Sequence, residues 1–73
     1  MIEHKFIEKI NTLEITTDVR FKDCCLIADL LCDNGFEVIE VRRTDGGAFN
    51  IITVECAEKD IEKIVGFVKL AAE

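Results

Sequence analysis

The chain has 73 residues, 49% of them hydrophobic, and its net charge of −6 comes from fifteen acidic and nine basic residues. This length allows one small domain over residues 1–73, whose core buries only a modest share of the surface. The acidic residues are spread along the whole sequence, so we expect the chain to repel nucleic acid rather than bind it directly.

The N-terminal segment carries apolar residues at helical spacing, with charged residues between them. The apolar residues are Ile2, Phe6, Ile7, Ile10 and Leu13. This spacing predicts a short amphipathic helix, and a strand that begins near Lys5 is the alternative. The next segment, Thr12–Thr17, alternates and is rich in β-branched residues, which predicts a strand.

A helix is predicted from Thr17 or Asp18, either of which can cap it, to Asn34, where Asn34-Gly35 gives a stop signal. Its apolar residues fall into two groups on a helical wheel. The broad arc contains Phe21, Cys24, Cys25, Ile27, Ala28, Leu31 and Cys32. The second strip contains Val19, Leu26 and Leu30. One sheet cannot cover both groups, so the second strip must meet another helix or another chain.

Residues 36–56 alternate on both sides of Thr44-Asp45-Gly46-Gly47, which predicts a β-hairpin with a two-residue turn. Either Asp45-Gly46 or Gly46-Gly47 can form the turn, and both registers give the same two faces. The predicted core face carries Ile39, Val41, Ala48, Ile52 and Val54. The predicted outward face carries Phe36, Val38, Glu40, Arg42, Phe49, Ile51, Thr53 and Glu55. Four residues of this outward face are large and apolar, which is unusual for a face that contacts only water.

The last segment predicts a second amphipathic helix. Glu58, Asp60 and Glu62 place negative charge in its first turns, which complements the helix dipole. One side of this helix is apolar and carries Ala57, Ile61, Ile64, Val65, Phe67, Val68, Ala71 and Ala72.

Together these elements predict an α+β fold of two layers, in which an N-terminal helix is followed by βαββα. The predicted sheet is three-stranded and antiparallel, with strand order 1-3-2, and the edge at Thr12–Thr17 needs the N-terminal segment or a second copy to cover it. This plan resembles the ferredoxin-like βαββαβ arrangement without its last strand. The stretch of residues 18–41 is similar to ACT regulatory domains, although Phe21-Lys22-Asp23 stands where those domains usually carry a glycine. The resemblance implies a homodimer that senses a ligand near the start of the first helix.

The sequence contains no motif for catalysis, a cofactor or a metal ion. His4 is the only histidine, and the spacing of Cys24, Cys25, Cys32 and Cys56 differs from that of structural zinc sites. We therefore expect reduced, buried thiols, no enzyme activity, no cofactor and no metal site, with a thiol or metal-binding protein as an alternative. No signal peptide and no membrane-spanning run is visible, which predicts a cytoplasmic protein without membrane contact.

The function that these features favour is a small acidic module that binds, and inhibits or regulates, another protein with a basic surface. An inhibitor of the phage or mobile-element type, which occupies a nucleic-acid-binding groove of its partner, is one form of this hypothesis. The predicted partner-binding residues are Phe36, Val38, Glu40, Arg42, Phe49, Ile51, Val19, Leu26 and Leu30. The same apolar groups predict a homodimer.

Overall fold

A computed structural model describes residues 1–72, which form one antiparallel sheet with two helices packed on one of its faces. The strands are β1 (Ile2–Ile7), β2 (Thr12–Thr17), β3 (Glu37–Arg43) and β4 (Asn50–Glu55). The helices are α1 (Phe21–Asp33) and α2 (Ile61–Ala72). The chain order is therefore ββαββα, and the sheet order is β1-β2-β4-β3. Neither helix is long and apolar enough to cross a membrane.

The N-terminal segment is a strand, so the predicted N-terminal helix and the three-stranded sheet of order 1-3-2 are wrong, as is the ferredoxin-like plan. β1 pairs with β2 along its whole length, from Ile2 opposite Thr17 to Ile7 opposite Thr12. A helix here would leave the backbone N–H and C=O groups along one side of β2 without strand partners, and β1 pairs them. The connection is a 3-10 turn at Glu8–Ile10, closed by Asn11 in the left-handed conformation (φ 48°).

β3 contains a β-bulge at Ile39, because its register with β4 shifts between Val38 and Glu40. Val38 and Val41 therefore both pack against the core, although residues three positions apart lie on opposite faces of a regular strand. Ile39 is 53% exposed. The sequence places Ile39 in the core and Val38 outside, and both placements are wrong. A bulge adds one residue to one strand, so the residues before it lie on the face opposite to the one that regular alternation predicts.

The hairpin loop is longer than the predicted two-residue turn. The backbone N–H of Thr44 donates to the carbonyl oxygen of Phe49 (2.9 Å), which encloses residues 45–48 in the loop. Gly46 and Gly47 both have positive φ, 86° and 73°, a conformation that glycine adopts without a Cβ clash. Ala48, predicted on the core face, is therefore exposed in this loop.

The core lies between the sheet and the two helices. α1 ends where Asn34-Gly35 predicts, since Gly35 has φ 87° and the next N–H, that of Phe36, donates to the Leu31 carbonyl (3.0 Å). The start of α1 is tied to β4 by the side-chain amide of Asn50, which donates to the Val19 carbonyl oxygen (2.7 Å). The core cluster is Leu13, Ile15, Cys24, Ile27, Leu31, Ile52, Val54, Cys56, Ile64, Val65 and Val68.

Candidate protein-binding surfaces

The face of the sheet opposite the helices carries mainly polar side chains. Strand alternation and the observed registers align these side chains in three rows across β1, β2, β4 and β3. The first row is Glu3, Thr16, Ile51 and Arg42. The second row is Lys5, Glu14, Thr53 and Glu40. The third row is Ile7, Thr12, Glu55 and Glu37. Carboxylates outnumber cations on this open face, so it contributes to the acidic character of the chain.

An acidic cleft of about 520 Å³ lies at the end of the sheet where β3 begins and β4 ends. Four carboxylates line it: Glu37, Glu55, Glu58 and Asp60. Glu37 and Glu55 are direct cross-strand partners on the open face. No lysine or arginine of residues 1–72 lines this cleft, and none of the four carboxylates takes part in an ion pair with another described residue.

The backbone that follows β4 fixes the shape of the acidic cleft. The N–H of Cys56 donates to the carbonyl oxygen of Asn11 (2.9 Å), which continues the β2–β4 ladder by one pair. The N–H of Asp60 then donates to the Ala57 carbonyl oxygen (3.0 Å), closing the 3-10 turn Glu58–Asp60 before α2. Short hydrogen-bonded connections therefore hold Glu55, Glu58 and Asp60 close to one another.

Cys56 lies in the wall of the acidic cleft and is itself buried. Burial, and then the nearby Asp60 carboxylate, raise the pKa of the Cys56 thiol above its ordinary value. A thiol nucleophile must be ionised to react, so these surroundings oppose catalysis by Cys56. The chemistry that the cleft favours is the binding of a positively charged group.

Two of the predicted partner-binding residues form an ion pair on the open face. The Nε atom of Arg42 lies 3.2 Å from Oε1 of Glu40, and both side chains are about half exposed. Ile51, which is half-buried, is the cross-strand partner of Arg42. The structure therefore brings Glu40, Arg42 and Ile51 together, next to the row that contains Glu37 and Glu55.

Three further predicted residues meet on the helix side of the molecule. Val19, Leu26 and Leu30 line a groove of about 390 Å³ between α1 and the last turn of α2, together with Asp23, Ile27, Ala71 and Ala72. Leu26 is 55% exposed and Leu30 is 44% exposed, whereas Val19 packs partly against the core. We call this feature the helix groove. It lies across the sheet from the open face, so the two surfaces cannot form one continuous site.

The other three predicted residues are not brought together with these. Phe36 and Val38 pack against the core, and Phe36 also lines the acidic cleft. Lys63 lies above the Phe36 ring, with its Nζ atom 5.7 Å from the centroid. Phe49 precedes β4 and is 38% exposed. The nine residues are thus divided between the core edge, the hairpin end, the open face and the helix groove.

All four cysteines are free thiols, and they differ in accessibility. Cys24 is buried and its Sγ atom donates to the Val19 carbonyl oxygen (3.4 Å). Burial raises the pKa of Cys24, and the neighbouring Cys25 and Asp23 add to this effect. Cys32 is exposed on α1 and Cys25 is half-buried, so the predicted burial is confirmed only for Cys24 and Cys56. Within residues 1–72, no group of three or more His, Cys, Asp or Glu side chains is arranged to hold a metal ion.

Sequence reasoning missed the acidic cleft. Its carboxylates come from β3, from β4 and from the turn before α2, and their meeting depends on the register between the two strands. In a regular hairpin with Val41 opposite Ile52, Glu37 would lie opposite Cys56; the bulge moves it opposite Glu55. The available signal was the density of acidic residues between Glu55 and Asp60.

Comparisons with protein-family models, with curated proteins and with solved structures found no match to this chain.

Proposed function

We propose that this chain is a non-enzymatic protein-binding module that takes a lysine or arginine side chain of a basic partner into the acidic cleft. The observation that carries the proposal is the pair Glu37 and Glu55, two carboxylates directly opposite each other on neighbouring strands. Like charges in this position destabilise a sheet. A cation from a partner is attracted by both carboxylates and offsets their mutual repulsion. The pair therefore stabilises the bound state relative to the free state.

The surroundings of this pair support the same proposal. Glu58 and Asp60 add negative charge at the cleft, and no described cation lines it, although Lys63 lies above the ring of Phe36 in the cleft wall. Arginine suits such a site well, because its planar guanidinium group can bind two carboxylates at once. The net charge of −6 adds a long-range attraction for a basic surface and speeds encounter with it.

The finer form of the proposal concerns the partner. Basic surfaces of proteins are often surfaces that bind nucleic acid, and an acidic module that covers such a surface inhibits it by competition. An inhibitor or regulator of the phage or mobile-element type, acting in the cytoplasm, fits this chemistry. We also propose that the chain forms a homodimer. The ACT-like ligand sensor and the thiol or metal-binding protein stay predictions that no specific contact among residues 1–72 favours.

The test measures binding of a short arginine-rich peptide by fluorescence anisotropy at low and at physiological salt. Glu37→Gln and Glu55→Gln each remove one carboxylate from the cleft. Glu3→Gln and Glu14→Gln are matched controls, because they remove the same charge from the same open face outside the cleft. We expect the cleft variants to weaken binding about tenfold and the controls about twofold, as exposed charges contribute little when they are not in contact. If all four variants weaken peptide binding equally, binding depends only on the overall charge of the chain, and the proposed site is wrong.

A further inference from the structure

We propose that two copies of this chain pair through the free edge of β1, in an antiparallel register centred on His4, to form one continuous eight-stranded sheet. This geometry rests on the homodimer proposed above and specifies its interface. The candidate edges are β1 and β3, because β2 and β4 lie inside the sheet. Strand addition at a free edge is a common mode of protein association, since the backbone groups there have no sheet partner.

The alternating hydrogen bonds of the sheet show which backbone N–H and C=O groups of β1 have no partner in β2. The N–H of Cys56 donates to the Asn11 carbonyl, so the backbone of Asn11 faces β4 and that of Thr12 faces β1. Since Thr12 pairs with Ile7, the odd-numbered residues of β1 bond to β2. The N–H and C=O groups of Ile2, His4 and Phe6 therefore point away from the sheet and are available to a second chain.

The side chains of β1 are complementary to themselves in one register. With His4 of one copy opposite His4 of the other, Glu3 of each copy lies opposite Lys5 of its mate on the open face. On the helix face, Ile2 of each copy lies opposite Phe6 of the other, so apolar side chains meet apolar side chains. The symmetry is isologous, as a closed dimer requires.

Neighbouring registers lack this complementarity. A shift by two residues in one direction places Lys5 opposite Lys5, and a shift in the other direction places Glu3 opposite Glu3, so like charges meet on the two-fold axis. A shift by one residue places the apolar face of one copy beside the polar face of the other. Among these registers, the charge pattern of β1 therefore favours the one centred on His4.

The other free edge, β3, is less suited to pairing. Its bulge at Ile39 interrupts the regular alternation of backbone groups, and bulges of this kind blunt sheet edges against association. β1 has no such irregularity, because all six of its residues pair with β2 in one continuous register. His4 is exposed and lines an open hollow beside the start of α2, so the side chain at the middle of β1 is accessible to solvent.

The test measures the dissociation constant of the dimer by sedimentation equilibrium in variants whose charges on β1 are reversed. Lys5→Glu and Glu3→Lys each place like charges opposite one another at two symmetric positions, and we expect each to weaken the dimer about tenfold. The double variant Glu3→Lys/Lys5→Glu restores opposite charges and should return the dimer to near its original affinity. Lys22→Glu and Asp29→Lys, on the exposed side of α1, change the net charge by the same amounts and should leave the dimer unaffected.

Amide hydrogen exchange provides a second readout of the same interface. We expect the amides of His4 and Phe6 to become protected as the protein concentration rises, while Val41 and Arg43 on the β3 edge stay unprotected. A chain that is monomeric at all concentrations would overturn the homodimer and leave peptide binding as a separate question. A dimer that ignores the β1 charge variants, or that protects Val41 instead of His4, would overturn this interface but not the homodimer.

Discussion

Glu37 and Glu55 lie directly opposite each other on β3 and β4, at the end of the sheet where the acidic cleft opens. This pairing exists because the bulge at Ile39 shifts the register of β3 by one residue. A pair of like charges in this position is unfavourable for the isolated fold and favourable for binding a cation. Stability and binding should therefore respond in opposite directions when either carboxylate is removed.

The first prediction concerns stability. We expect Glu55→Gln to raise the free energy of unfolding by about 0.2–1 kcal/mol, because it removes a cross-strand repulsion. Urea denaturation at low salt measures this change, and added salt should reduce it by screening the two charges. Glu3→Gln, whose cross-strand partner is Thr16, is the control and should change stability little. A loss of stability in Glu55→Gln would show that this carboxylate has a structural role.

The second prediction tests the bulge. Val38→Ala removes methyl groups packed against the core and should lower the free energy of unfolding by about 1 kcal/mol. Ile39→Ala, although it removes a larger side chain, should cost less than about 0.5 kcal/mol because Ile39 projects into solvent. The reverse order of the two losses would indicate regular alternation in β3 and, with it, a different partner for Glu37.

The third prediction concerns the buried thiols. Cys32 should react with a thiol reagent in the folded protein, whereas buried Cys24 and Cys56 should react only when the chain unfolds. Both buried thiols have a pKa raised by burial, so the unfolded chain releases their protons at lower pH than the folded chain does. Their contribution to stability is therefore complete below the ordinary cysteine pKa, about 8.5, and declines as pH rises above it.

This pH dependence has its own control. Urea titrations from neutral pH to mildly alkaline pH should show a fall in the free energy of unfolding for the unmodified chain. Cys56→Ala should make the fall smaller, because it removes one of the two thiols whose pKa burial raises. An unchanged slope in Cys56→Ala would mean that this thiol titrates alike in the folded and unfolded chains.

The fourth prediction separates the acidic cleft from the apolar surfaces. Leu26→Asp in the helix groove and Phe49→Asp at the hairpin end should both fold, because each side chain is substantially exposed. Each should leave the affinity for an arginine-rich peptide unchanged or slightly higher, since the substitution adds negative charge. A clear loss of peptide binding in folded Leu26→Asp would place the site in the helix groove instead.

Local sequence patterns are sufficient to predict the two helices. The stop at Asn34-Gly35 and most of the apolar arcs of α1 and α2 are visible in the sequence, because each depends on neighbours a few positions away. Cys32, which the predicted arc of α1 includes, is exposed. The first segment is ambiguous, since Ile2 and Phe6 share one side of either a helix or a strand. Its conformation is decided by β2, which needs a partner for its backbone groups.

The bulge and the loop depend even less on local sequence. Alternation around Ile39 favours a regular strand, and only the packing of Val38 and Val41 on the same face shows that a residue has been inserted. Gly46-Gly47 predicts positive φ correctly but not the length of the loop, which extends to Ala48. Because the acidic cleft depends on the resulting register, it could not be located before the structure was known.

The binding site can be located most directly by titrating the ¹⁵N-labelled chain with a short arginine-rich peptide and following the backbone amide resonances. We expect the largest shifts at Glu37, Glu55, Cys56 and Asp60, with much smaller shifts at Glu3 and at Leu30. The shifts should vanish in the double variant Glu37→Gln/Glu55→Gln. Shifts spread evenly over all acidic positions, or concentrated along the helix groove, would rule out the acidic cleft as the site that binds a basic partner.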